Sequence, residues 1–148
     1  MTAPLLVFGW GNRSRGDDAL GPLFVERLRE RLGDTSHVDF LDDYQLQVEH
    51  ALDLVGRERV LFVDASTNSH AAFVVSSIEP HRDATFTTHA VSPAAVLQVF
   101  VELNPTTAPP PCTQLAIRGE RFELGEAPSE AALRNLEQAL SWARDWVR

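Results

Sequence analysis

Short apolar runs alternate along the chain with longer stretches in which apolar residues recur every three or four positions. The runs at residues 5–8, 60–63 and 115–117 are too short for helices and contain no charged residue, which predicts strands buried on both faces. Residues 38–41 and 73–75 predict two further strands. The chain therefore contains five predicted strands.

Four stretches have the apolar spacing of helices. The first covers residues 20–32 and ends at Gly33, the third begins at Ser92-Pro93, and the last begins at Ser129. The second, residues 46–55, is predicted to bury a helical stripe formed by Val48, Ala51, Leu52 and Val55.

The order of these elements predicts how the strands run. Helices separate the first three strands, so right-handed crossovers make those strands parallel. Only residues 65–71 join the third strand to the fourth, which is too short for such a crossover and predicts an antiparallel fourth strand. We expect an α/β fold with a mixed, mostly parallel five-stranded sheet, formed by residues 1–148 as a single domain.

The loop after the first strand carries glycines and then two acids. Glycines at positions 9, 11 and 16 allow sharp turns, and Asp17 and Asp18 precede the first helix. Ligands of open α/β sheets bind at the carboxyl ends of strands, so a carboxylate here faces a crevice. One acid is enough to cap the helix, and capping therefore explains Asp17 more readily than Asp18. Phosphate-loop patterns are absent, and the two acids favour a cation.

Composition narrows the class of partner. The net charge of −8 over 148 residues argues against nucleic acids and anionic membranes as partners, because both require a basic surface. No segment has the length and apolarity of a membrane span or the pattern of a signal peptide. Cys112 is the single cysteine, which excludes an internal disulfide and fits a reducing compartment. We expect a cytoplasmic protein.

Three residues are candidates for a metal site. Asp18 follows the first strand, Asp64 follows the third, and His89 lies in the loop after the fourth. Two carboxylates and an imidazole suit nickel or zinc and leave coordination positions open for water or substrate. Each residue also has a structural explanation, Asp64 as a strand-end cap and His89 as a hydrogen-bonding loop residue. His81 is an alternative ligand.

Other catalytic arrangements find little support. The Gly-x-Ser-x-Gly and His-Glu-x-x-His patterns are absent, and Cys112 has no nearby partner in the sequence. His37 and His50 are expected to face solvent.

Several of these segments together resemble the hydrogenase maturation proteases. The resemblance rests on residues 8–12 (FGWGN), 16–22 (GDDALGP), 41–42 (LD), 62–65 (FVDA) and 88–89 (TH), in the order and approximate spacing of that family. It covers nearly the whole chain. It implies a three-layer α/β/α sandwich and an endopeptidase that removes the C-terminal extension of a nickel-iron hydrogenase large-subunit precursor after nickel insertion.

The resemblance also implies roles for the candidate residues. Asp18, Asp64 and His89 would bind nickel carried by the precursor, which is the expected partner of a monomeric protein. The catalytic group stays unassigned, because a metal-polarised carbonyl and an activated water are both compatible with the sequence. A stand-alone zinc-dependent metallohydrolase and a non-catalytic module that checks a metalloprotein are the alternatives.

The chain departs from the family pattern at two places. Residues 43–46 (DYQL) replace a glycine-rich stretch found in many members, so we expect substrate recognition by this loop to differ. Position 18 is Asp where some relatives have Glu, which shortens the side chain by one methylene and keeps the carboxylate.

Overall fold

A five-stranded sheet forms the centre of the computed structural model, which describes residues 2–83 and 91–148. Its strands lie in the order β2-β1-β3-β5-β4. They are β1 (Leu5–Trp10), β2 (Val38–Asp43), β3 (Arg59–Ser66), β4 (Phe73–Ile78) and β5 (Cys112–Arg118). All neighbouring pairs are parallel except the edge strand β4, which runs antiparallel to β5. The predicted mixed, mostly parallel sheet is confirmed.

Helices cover both faces of the sheet and make three layers. Among the described residues the α-helices are α1 (Leu20–Arg31), α2 (Pro93–Leu103) and α3 (Glu130–Trp146). Residues of α1 and α3 share one apolar core, and residues of α2 and of a 3-10 helix at Val48–Leu54 share the other. The α/β/α sandwich expected from the resemblance is therefore present.

Alternation along the strands divides apolar side chains between the two cores. In β1, Leu5 and Val7 belong to the core under α1 and α3, whereas Leu6 and Phe8 belong to the core under α2. Strand β3 alternates in the same way, because successive side chains of a strand point to opposite faces. This alternation fixes the face on which each polar residue near the strand ends lies.

The second predicted helix is wrong in type and in its buried face. Val48–Leu54 is a 3-10 helix, whose three-residue period buries Ala51 and Leu54 together. Leu52 is 67% exposed, and Val48 and Val55 are exposed as well. The apolar spacing of this segment fits an α-helix and a 3-10 helix equally well, so the sequence alone did not distinguish the two.

Two glycines allow β1 and α1 to pack at backbone contact. A Cβ on Gly21 would lie 2.3 Å from the carbonyl oxygen of Trp10, and a Cβ on Gly9 would lie 2.3 Å from the carbonyl oxygen of Gly21. The close approach holds the start of α1 against the carboxyl end of β1. Within residues 2–83 and 91–148, none of the helices combines the length and apolarity needed to cross a membrane.

Candidate functional site

The loop between β1 and α1 places Asp18 at the carboxyl edge of the sheet. Gly11 has φ +148° and Gly16 has φ +52°, backbone conformations that favour glycine. A short 3-10 helix, Gly16–Ala19, follows and carries Asp18 on its third position. The Asn12 backbone N–H donates to Asp18 Oδ2 at 2.7 Å, so one carboxylate oxygen has a fixed position.

Asp64 lies within β3, near its carboxyl end, and not after the strand as the sequence suggested. The strand continues to Ser66 because its last residues pair with β5. By alternation Asp64 shares the face of Phe62, which belongs to the core under α2. The Ala65 N–H donates to Asp64 Oδ1 at 2.8 Å.

The environment of Asp64 favours its protonated form. Burial is the main cause and raises the pKa of Asp64 from 3.8 to about 7, although the hydrogen bond from Ala65 acts in the opposite direction. The negative charge of Asp18 raises the pKa of Asp64 further. Strands β1 and β3 are parallel neighbours, and Asp18 follows β1 while Asp64 lies near the end of β3, so the two carboxylates lie at the same edge of the sheet.

Such a pair is suited to a positive ligand. Two carboxylates that repel each other in a half-buried site gain stability from a shared proton or from a cation. The aromatic rings of Trp10 and Phe62, with centroids 6.1 Å apart, lie on the same sheet face as Asp64. The arrangement can therefore bind a divalent ion through carboxylate oxygens.

The histidine candidates have different outcomes. His89 falls within residues 84–90 and lies outside the described residues, so its role as a ligand stays a prediction. His81 is exposed, and its backbone N–H donates to the Ala94 carbonyl in the first turn of α2. Among residues 2–83 and 91–148, no group of three His, Cys, Asp or Glu side chains is arranged to hold a metal ion.

Asp17 has a structural role that the sequence did not indicate. It is fully buried and accepts hydrogen bonds from the N–H groups of Glu120, Arg121 and Ser129 and from the Ser129 hydroxyl, at 2.6 to 3.0 Å. Burial raises the pKa of Asp17, but these donors outweigh it and hold the pKa below its ordinary value. Asp17 makes no cap on its own 3-10 helix and instead anchors the segment between β5 and α3.

Two histidines expected in solvent make defined contacts. His37 Nε2 lies 2.8 Å from the carbonyl oxygen of Val147. The Nε2 atom of His50 is 3.1 Å from Oδ2 of Asp43. The imidazole ring of His50 also packs edge-on against the ring of Phe8, with the ring centroids 4.4 Å apart. Both expectations were wrong, because a sequence pattern does not show which distant groups will meet a polar ring.

The single cysteine is unsuited to nucleophilic chemistry. Cys112 is buried at the start of β5 and pairs with Val60 and Ile78, at the opposite end of the strands from Asp64. Burial raises the pKa of its thiol to about 12, so the reactive thiolate is scarce at neutral pH.

Comparison with known proteins identifies relatives at the level of structure. No protein-family model matches the sequence, and no curated protein matches it. A crystal structure of a NiFe hydrogenase maturation protease from Thermococcus kodakarensis matches with a TM-score of 0.75 and 23% identity, over 99% of this chain and 92% of that one.

Two further solved structures have the same character. A hydrogenase maturating endopeptidase from E. coli matches with a TM-score of 0.74 and 23% identity, over 94% of this chain and 88% of that one. A hydrogenase 2 maturation peptidase from Thaumarchaeota archaeon SCGC_AB-539-E09 gives a TM-score of 0.69 and 22% identity, over 97% of each chain. The chain therefore has the fold of several structures described as hydrogenase maturation proteases, over nearly its whole length.

Proposed function

We propose that this chain is an endopeptidase that removes the C-terminal extension of a nickel-iron hydrogenase large-subunit precursor after nickel insertion. Two findings support the proposal. The fold is that of structures described as hydrogenase maturation proteases. In addition, a pair of carboxylates occupies the carboxyl edge of the sheet, where α/β folds bind their ligands.

The position of Asp18 and Asp64 at the carboxyl ends of two adjacent parallel strands is the observation that carries the proposal. Backbone N–H groups fix Oδ2 of Asp18 and Oδ1 of Asp64 in place. The other oxygen of each carboxylate is then the one that would bind a ligand. A divalent ion that binds both carboxylates would take the place of the proton on Asp64 and offset the negative charge of the ionised pair. The site is thus built to gain stability from a metal ion brought to it.

His89 completes the proposed ligand set. Helix α2 begins at Pro93, shortly after His89, and packs on the face of the sheet that carries Asp64. An imidazole nitrogen beside two carboxylates suits nickel and leaves other positions to ligands from the precursor.

Nickel belongs to the substrate in this scheme. Binding of the precursor's nickel by Asp18, Asp64 and His89 docks the precursor and positions its scissile segment. Neither aspartate has to be the nucleophile, since a polarised carbonyl or an activated water can supply the cleavage step. Cys112 takes no part, because its thiol is buried away from this edge. We place the reaction in the cytoplasm, with the precursor as the partner.

The test is cleavage of the large-subunit precursor from the same organism, prepared with and without nickel and followed by intact mass. We expect the wild-type protein to shorten only the nickel-loaded precursor. Asp18→Ala, Asp64→Ala and His89→Ala are each expected to abolish processing. Asp34→Ala is the matched control, because Asp34 is an exposed carboxylate in the loop before β2, where its Oδ1 accepts a hydrogen bond from the Ser36 N–H. Near-normal cleavage by all three site variants would overturn the proposal.

Two further outcomes would favour the other functions. Tightly held, stoichiometric zinc in the purified protein would indicate a stand-alone metallohydrolase. Stable capture of the precursor without any change in its mass would indicate a binding module that checks the metalloprotein.

A further inference from the structure

A cleft opens beside Asp18, between the loop after β1 and the carboxyl end of β2. Its volume is about 280 Å³. The lining residues come from the loop after β1, from the end of β2 and the residue that follows it, and from the first turn of α1, and they are Gly11, Asn12, Arg13, Ser14, Pro22, Asp42, Asp43 and Tyr44. The cleft thus lies at the carboxyl ends of two adjacent parallel strands, next to the proposed nickel ligand.

An exposed aromatic ring stands at this cleft with its hydroxyl held in place. Tyr44 is 65% exposed, yet its Oη accepts a hydrogen bond of 2.6 Å from Asn12 Nδ2. Asn12 is buried, and its Oδ1 accepts from the Ser14 N–H at 2.8 Å. The Asn12 backbone N–H bonds Asp18. One residue therefore fixes both the tyrosine and the proposed metal ligand.

The loop that carries Tyr44 is also held from its other side. His50 Nδ1 accepts from the Gln47 N–H at 2.9 Å, which leaves the proton on Nε2 to be donated to Asp43 Oδ2. The Asp43 carbonyl accepts from the Gly11 N–H at 3.1 Å. A surface loop with this many internal bonds presents its aromatic side chain in one orientation, so little conformational entropy is lost when a ligand packs against it.

The charges around the cleft restrict what it can hold. Arg13 is the one cation among the described residues that line it, and it bonds both Asp42, at 2.7 Å, and Glu26, at 3.2 Å. Asp43 adds a further negative charge to the lining. With carboxylates in excess and the guanidinium already paired, an acidic ligand is disfavoured and a neutral or basic one is accepted.

We propose that this cleft binds a neutral or basic polypeptide segment of the precursor and that Tyr44 is its recognition residue. The inference rests on the function proposed above. The volume suits one or two side chains of a peptide, and a tyrosine ring supplies a large contact area at low entropic cost. Tyr44 thereby becomes a determinant of substrate choice in this chain.

Steady-state cleavage of the nickel-loaded precursor by Tyr44 variants tests this inference. Tyr44→Ala is expected to raise KM about tenfold with kcat little changed, the effect of losing one well-placed aromatic contact. Tyr44→Phe keeps the ring and loses the bond to Asn12, and its KM is expected to rise about threefold.

Leu52→Ala is the matched control. Leu52 is 67% exposed, lies on the neighbouring 3-10 helix and does not line the cleft, so its removal is expected to leave KM and kcat unchanged. Thermal unfolding of all three variants identifies any loss of folding. An unchanged KM in a folded Tyr44→Ala protein would overturn the inference while leaving the proposed function intact. If the wild-type protein cleaves no precursor, the proposed function fails first.

Discussion

Asp17 is fully buried and Asp64 is half-buried, and their surroundings shift the pKa of the two carboxyl groups in opposite directions. Asp17 accepts four hydrogen bonds, three of them from backbone N–H groups, and its pKa lies below the ordinary value. Among the described residues, Asp64 accepts one hydrogen bond from the backbone and faces the charge of Asp18, and its pKa rises to about 7.

The difference shows what separates a structural carboxylate from one that is available for chemistry. Backbone donors occupy both oxygens of Asp17, so the residue stabilises the fold and has no capacity for a further ligand. In Asp64, the Ala65 N–H donates to Oδ1, and Oδ2 accepts no backbone hydrogen bond within the described residues. The raised pKa of Asp64 favours a bound proton, which a cation can replace. The charge-stabilising groups around a carboxylate thus decide its role more than its burial does.

The largest effect is expected from Asp17→Asn. The amide NH₂ would face N–H donors and could not accept their bonds, which leaves buried polar groups without partners at a cost of about 3 kcal/mol or more in the free energy of unfolding. Urea unfolding measures this loss. Asp34→Asn, at an exposed position, should change the same quantity by less than about 0.5 kcal/mol. Equal values for the two variants would remove the structural role assigned to Asp17.

A smaller loss is expected from Gly11→Ala, which disturbs the support of Asp18. The added Cβ would lie 1.9 Å from the Asp18 carbonyl oxygen, at φ +148°. We expect the free energy of unfolding to fall by about 2 kcal/mol, because both the conformation and the contact are unfavourable. Gly33→Ala has open space around its Cβ and should be close to neutral. Equal urea midpoints for the two variants would contradict this account.

Asp64→Asn is expected to change the free energy of unfolding in the opposite direction, as a gain in stability. Between pH 3.8 and about 7 the folded protein binds a proton that the unfolded chain releases, so the wild type loses stability as the pH rises through this window. The variant has no such titration and should be more stable than the wild type by on the order of 2 kcal/mol at pH 8. Urea unfolding at pH 4 and pH 8 measures the difference, which should nearly vanish at pH 4. A variant less stable than the wild type at pH 8 would argue against an unfavourable charge at Asp64.

The parts of the fold that depend on local apolar patterning follow from the sequence. The runs at residues 5–8 and 60–63 are apolar throughout, so the sequence alone indicates strands buried on both faces. The starts of α2 and α3 were also predictable, because the side chains of Ser92 and Ser129 cap these helices by accepting from the N–H groups of Ala95 and Ala132. Strand β4 was predicted to be antiparallel because its connection is short, and its pairing with β5 confirms this. Local spacing did not separate an α-helix from a 3-10 helix at Val48–Leu54.

The site was less predictable because it depends on contacts between distant residues. Asp18 and Asp64 lie at one edge of the sheet because β1 and β3 are parallel and end there. The predicted parallel crossovers made this placement foreseeable from the sequence. The partners of Asp17 lie more than a hundred positions away and include backbone groups that carry no sequence signal. The bond between Asn12 and Tyr44 likewise joins two loops that only the folded sheet brings together.

The central claim is that Asp18 and Asp64 form one coupled pair at the carboxyl edge, and a carboxyl-carbon NMR titration of Asp64 tests it most directly. The account predicts a pKa of about 7 in the wild-type protein. In Asp18→Asn the pKa should fall and still remain above 3.8, because burial is the larger cause. A wild-type pKa near 3.8, or a value that does not change in Asp18→Asn, would contradict the pairing on which the proposed nickel site depends.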